Sequence, residues 1–125
     1  MTSSAKRIVT LLAATALLAA LALPAPAAAK LPPTGFYECV LASANQYLGD
    51  LRIKGDKYKV NKSAWGKLAN PSGRKIRFNS GAWKGLFRGE WERAKSTYEP
   101  GKTIVEIELT EIESGFESSY CTKRS

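Results

Sequence analysis

The chain contains two cysteines, Cys39 and Cys121, and they lie near opposite ends of its polar part. Joining them closes a loop of about 80 residues, worth about 4 to 5 kcal/mol by restricting the unfolded chain. Any fold accepting that bond must bring its first ordered segment beside its last. A metal site is the competing use of thiols, but the sequence has no His and no Cys-x-x-Cys spacing, so no metal is expected. A disulfide persists only in an oxidising compartment, and the opening residues say how the chain would reach one.

Lys6 and Arg7 precede an uninterrupted run of Ile, Val, Leu, Ala and Thr from Ile8 to Leu23, followed by Pro24-Ala25-Pro26-Ala27-Ala28-Ala29. A basic start, an apolar core and small residues before a cleavage point make a secretory signal peptide of residues 1–29, cut between Ala29 and Lys30. The run is shorter than the ~20 apolar residues that span a bilayer, so no membrane span is expected in the mature chain. With no Cys at its end and no twin arginine, the ordinary secretory route follows, and the expected location is secreted or periplasmic. The remainder is read as a linker over residues 30–34 and one β domain over residues 35–125. A domain this small buries little of its surface and gains from a covalent staple.

Apolar residues alternate with polar ones in short segments punctuated by Gly, Pro, Asn and Asp, with no sustained helical stripe. The strands are read as Gly35–Leu41, Tyr47–Lys54, Lys57–Val60, Trp65–Leu68, Lys75–Asn79, Leu86–Lys95, Thr103–Thr110 and Phe116–Cys121. Gly55-Asp56 makes a two-residue hairpin turn, which sets Ile53 opposite Tyr58, Leu51 opposite Val60 and Lys54 opposite Lys57. Like charges in direct opposition are mildly destabilising, so something else must favour positive charge there, unless the two side chains splay into solvent. Asn70-Pro71-Ser72-Gly73 fits a type I turn. In the segment Thr103–Thr110, Val105, Ile107 and Leu109 share one face while Glu106, Glu108 and Thr110 share the other, so one side is buried and one wet. Seven or eight short strands predict an all-β, small antiparallel barrel or sandwich. A disulfide between first and last strands favours the barrel, because closure protects both edges.

Gly35-Phe36-Tyr37-Glu38-Cys39, Leu51-Arg52-Ile53, Tyr58-Lys59-Val60, Ile76-Arg77-Phe78-Asn79-Ser80-Gly81, Gly85, Gly89 and the terminal Cys121 follow in an order that resembles small exported bacterial β-domain proteins of uncharacterised function. The resemblance covers most of the mature chain but consists of fold-forming residues. It implies a β domain and an exported life, and transfers no active site. Lipocalin-like proteins and periplasmic lysozyme inhibitors share only such an architecture.

Charge is unevenly distributed. Between Leu51 and Lys95 there are thirteen Lys and Arg against three acids, whereas between Ser96 and Glu117 there are six acids and one Lys. Asymmetry of this kind suits an anionic polymer or surface. Trp65, Trp83 and Trp91 are interleaved with Arg74, Arg77, Lys84 and Arg88, and these seven residues form the candidate ligand-binding set. Exposed aromatics beside cations stack on sugars or bases while the cations pair with phosphate or carboxylate. The alternative is that the Trp residues form the core and the cations pair with neighbouring glutamates. Trp83, in the loop Ser80-Gly81-Ala82-Trp83-Lys84-Gly85, serves function on one reading and caps a barrel end on the other.

Catalytic chemistry has little to work with. Without His there is no base poised near neutrality and no Ser-His or Cys-His pair. Glu38, Asp50, Glu90 and Glu92 offer carboxylates but no marked pair, and the Gly-rich loop lacks the Lys-Ser/Thr ending of a phosphate cradle. Asn61-Lys62-Ser63 matches a glycosylation sequon, a chance match under a bacterial-style leader. The expected function is a non-catalytic binding module, without cofactor, for an anionic envelope polymer or surface. Two alternatives stand beside it: a protein-interaction or inhibitor module anchored through Trp83 or Leu86, and a lipocalin-like carrier of a small apolar ligand. The oligomeric state is left open.

Overall fold

Alternating side chains need two environments, and a sheet curled on itself supplies both. The computed structural model describes residues 30–96 and 99–125, so the leader read at residues 1–29 lies outside the described residues. Eight strands are formed: β1 (Gly35–Leu41), β2 (Gln46–Lys54), β3 (Lys57–Val60), β4 (Gly66–Ala69), β5 (Lys75–Phe78), β6 (Phe87–Lys95), β7 (Thr103–Glu111) and β8 (Glu117–Lys123). Each pairs antiparallel with the next, and β8 returns to pair with β1, giving a closed up-and-down barrel. Between barrel and sandwich, the structure is the barrel, which leaves no free sheet edge.

Closure is held where the sequence placed it. Cys39 of β1 lies directly opposite Cys121 of β8 in the ladder, and the two are disulfide-bonded across a separation of 82 residues. Both are fully buried, as are Tyr37, Leu51, Tyr58, Ile107 and Leu109. The hairpin register matches the reading from Gly55-Asp56, with Leu51 opposite Val60, Ile53 opposite Tyr58 and Lys54 opposite Lys57. Gly55 adopts φ 61° in that turn, a conformation that favours glycine. Residues 42–45 make the β1–β2 turn, with Asn45 in the left-handed region.

Strand starts differ from the sequence expectation at four places: β2 begins at Gln46, one residue before Tyr47, and β4, β6 and β8 begin one residue after Trp65, Leu86 and Phe116. All three lie at loop ends and are exposed. The loops β1–β2, β3–β4, β5–β6 and β7–β8 gather at one end of the barrel, termed here the upper end, and carry Trp65, Leu86, Ile112 and Phe116 there.

The lower end is closed by the segment Lys30–Thr34, which was read as a linker and is instead a strap. The Lys30 amide donates to the Gly73 carbonyl at 2.9 Å, and its own carbonyl accepts from the Trp91 indole Nε1 at 2.9 Å. The Tyr37 hydroxyl donates to the Pro33 carbonyl at 2.6 Å, and the Gly55 amide donates to Thr34 Oγ1 at 3.0 Å. Pro32 is buried and Leu31 packs on the core. A short apolar segment here covers side chains that an open barrel mouth would expose.

If the disulfide is the main fastening of β1 to β8, Cys39→Ala/Cys121→Ala should lose about 4 kcal/mol in equilibrium urea unfolding. A loss under about 1 kcal/mol would show that strand pairing suffices without it.

Candidate functional site

The seven candidate residues separate into three groups. Trp83 is only 5% exposed. Its ring packs edge-on against Phe78 at 5.3 Å and Phe87 at 5.4 Å, and stacks near Tyr58 at 6.3 Å. The backbone N–H of Trp83 donates to the Tyr58 hydroxyl at 2.9 Å. The β5–β6 loop can fold inward this far because Gly66 and Gly81 let two backbones touch. A Cβ on Gly81 would stand 2.8 Å from the Gly66 Cα, and one on Gly66 would collide with the Ser80 carbonyl oxygen. Trp83 therefore caps the upper end, and its burial removes it from any contact surface.

Trp91 is 4% exposed and fills the lower end. The Arg74 guanidinium covers its ring at 4.8 Å and that of Arg93 lies at 5.9 Å. Arg74 is thus engaged in roofing a core aromatic at the end remote from Trp83. Trp91 too leaves the candidate surface.

Trp65, Arg77, Lys84 and Arg88 remain exposed. Arg77, Lys84 and Arg88 line one open groove of about 680 Å³ on the outside of β5 to β7, together with Phe87, Ile112 and Glu117. Trp65 stands apart, 48% exposed, with the Lys59 ammonium 5.9 Å from its ring centre.

Registers show a larger feature that the candidate set missed. On the outer face of β2 to β6, Arg52 opposes Lys59, Lys54 opposes Lys57, Lys57 opposes Lys67, and Arg77 opposes Arg88. Four like-charged pairs in direct opposition make a basic wall, interrupted between β4 and β5, where Arg77 opposes Ala69. Among the described residues the ion pairs are Lys102–Glu99 at 3.1 Å and Arg124–Glu38 at 3.6 Å, and neither touches this wall. The alternative reading, in which neighbouring glutamates neutralise these cations, finds one cross-strand opposition, Lys75 with Glu90. The opposed Lys54 and Lys57 were the sequence signal for the wall. Arg52, Lys59 and Lys67 follow from it once β3 is placed between β2 and β4.

The acids are segregated in turn. Across β6 and β7, Glu90 opposes Glu108 and Glu92 opposes Glu106. Desolvation, followed by the Glu92 charge, raises the Glu106 carboxyl above its ordinary range. Desolvation, followed by Glu117 and then Glu92, Glu106 and Glu90, raises Glu108. Burial likewise raises the Tyr37 and Tyr58 phenols, which stay neutral.

No family model matches the chain, and no curated protein or solved structure matches it. The functional reading therefore rests on the barrel itself. Among the described residues, fifteen buried apolar side chains form its core, in a barrel of a size that side chains fill or one small ligand occupies. Among the described residues, no helix is long and apolar enough to cross a membrane and no group of three His, Cys, Asp or Glu is placed to hold a metal ion.

The acidic seam has a testable consequence. Carboxyls raised in the folded barrel bind protons more tightly folded than unfolded. Their contribution is complete below the ordinary value of 4.5 and is lost as pH rises through the raised values. Melting temperature should fall across that window, and Glu92→Gln, which removes a charge acting on both groups, should flatten the fall. Superimposable profiles for the two proteins would contradict this account.

Proposed function

We propose that the chain is an exported, non-catalytic binding module whose basic wall holds an anionic polymer of the cell envelope. The disulfide suits an oxidising environment, and the leader pattern of residues 1–29 supports a secreted or periplasmic one. The observation that carries the reading is the set of like-charged pairs on β2 to β6 with no carboxylate holding them. Each such opposition costs the fold a few tenths of a kcal/mol, on the order of the 0.2 to 1 kcal/mol that cross-strand pairs carry. A bound polyanion turns that cost into attraction.

Geometry favours a polymer over a small anion. Opposed side chains stand about 5 Å apart across strands and alternate residues about 7 Å apart along them. The wall is thus a grid of charges over several strands, matched by a chain with a negative group every few ångströms. Trp65, exposed at its margin under Lys59, offers an aromatic face of the kind that stacks on a sugar or base.

Lys57 faces both Lys54 and Lys67, so Lys57→Glu converts two repulsive oppositions into attractive ones. Melting temperature should rise while retention on an immobilised polyanion such as heparin falls, the wild type eluting earlier as salt is raised. Wild-type retention that ignores salt, or no retention, would overturn the proposal. Unchanged retention of Lys57→Glu would place binding elsewhere.

A further inference from the structure

At the upper end, three large apolar side chains face outward. Phe116 is 74% exposed, Leu86 54% and Ile112 45%. They are held in place, since the Ile112 amide donates to the Leu86 carbonyl at 3.0 Å and joins the β5–β6 and β7–β8 loops. The Glu111 amide donates to the Phe116 carbonyl at 2.9 Å, the Gly115 amide to the Glu111 carbonyl at 2.8 Å, and the Leu86 amide to the Trp83 carbonyl at 3.0 Å. Loops this well bonded present a fixed apolar patch to water, which marks an interaction surface.

The charges beside the patch identify its occupant. Strand registers set Arg77, Arg88, Thr110 and Glu117 in one lateral row across β5, β6, β7 and β8. The row runs from two cations through a neutral residue to an anion, with Arg88 and Glu117 about 10 Å apart at ordinary strand spacing. Lys84 lies in the β5–β6 loop on the basic side, and Glu111 and Glu113 flank Ile112 in the chain. An anionic bilayer would repel the glutamates beside Phe116, and a polyanion gains nothing from the apolar centre. A surface with an apolar centre, one basic flank and one acidic flank complements itself when rotated by a twofold axis.

We infer that this rim is a homodimer seam, in which Leu86, Ile112 and Phe116 of two copies meet and Arg88 of each faces Glu117 of the other. Three side chains cover less than the ~800 Å² per partner of a standard interface, so the dimer is weak, with Kd on the order of tens to hundreds of micromolar. The inference does not rest on the polymer reading, since its test contains no polyanion.

Sedimentation of the mature chain from about 1 µM to about 1 mM should show a rise toward twice the monomer mass. Phe116→Ser should weaken association at least ~tenfold, as loss of a central aromatic anchor does. Arg88→Glu and Glu117→Lys should each weaken self-association by placing like charges across the twofold axis. An equimolar mixture of these two variants should associate more tightly than either alone, because both cross-axis pairs become attractive. A native near-ultraviolet circular dichroism spectrum for each variant confirms that folding is intact, and all three substituted positions are exposed. A monomer at every concentration, a dimer indifferent to Phe116→Ser, or a mixture no tighter than its components would overturn the inference.

Discussion

Pairing of β1 with β8 is the contact on which the rest of the molecule depends. Without it, eight short strands form an open meander with two exposed edges and a single wetted core face. With it, alternate residues acquire a dry interior, and Tyr37, Leu51, Tyr58, Ile107 and Leu109 share one core. The Cys39–Cys121 bond sits within that pairing, opposite Ile107 of β7, so the covalent link and the buried layer occupy the same level of the barrel. Closure also fixes the outside. A curled sheet has two surfaces only, and once the inner one is filled the charged residues of the strands must share the outer one.

That sharing is uneven, and the unevenness separates folding from function. Cross-strand neighbours of opposite sign would have stabilised the barrel, and the composition contains enough of both signs to supply several. Cations instead oppose cations on β2 to β6, while glutamates oppose glutamates on β6 and β7. Burial first, and the neighbouring glutamates second, raise the Glu106 and Glu108 carboxyls. Stability alone does not select this pattern, and the proposed polyanion would.

Much of the architecture was legible because strand physics is local. A period of two, the Gly55-Asp56 turn and the Asn70-Pro71-Ser72-Gly73 turn carried much of the eight-strand reading, and the β2–β3 register followed from turn length alone. The candidate site was less legible, for a reason visible at Trp83 and Trp91. An aromatic beside Arg or Lys in sequence has the same pattern whether it faces outward or fills a barrel end. What decides the matter at Trp83 is a contact between Gly66 and Gly81, fifteen positions apart, which no local pattern reports. At Trp65, Leu86 and Phe116 the difference was one residue of strand length, which is enough to move a side chain from the ladder to the rim. The basic wall lay between these cases. One opposed pair was visible in the hairpin, and the others needed the order of strands.

The strap over the lower end gives the molecule a direction. Lys30 is bonded to Gly73 and the Ser125 carbonyl accepts the Phe36 amide, so both limits of the described chain lie at the same mouth. A fluorophore or solid support attached at either one starts from the mouth opposite Leu86, Ile112 and Phe116. The barrel can be held by a handle at its base while its rim stays unobstructed, an orientation set by five residues that the sequence presented as mere connection.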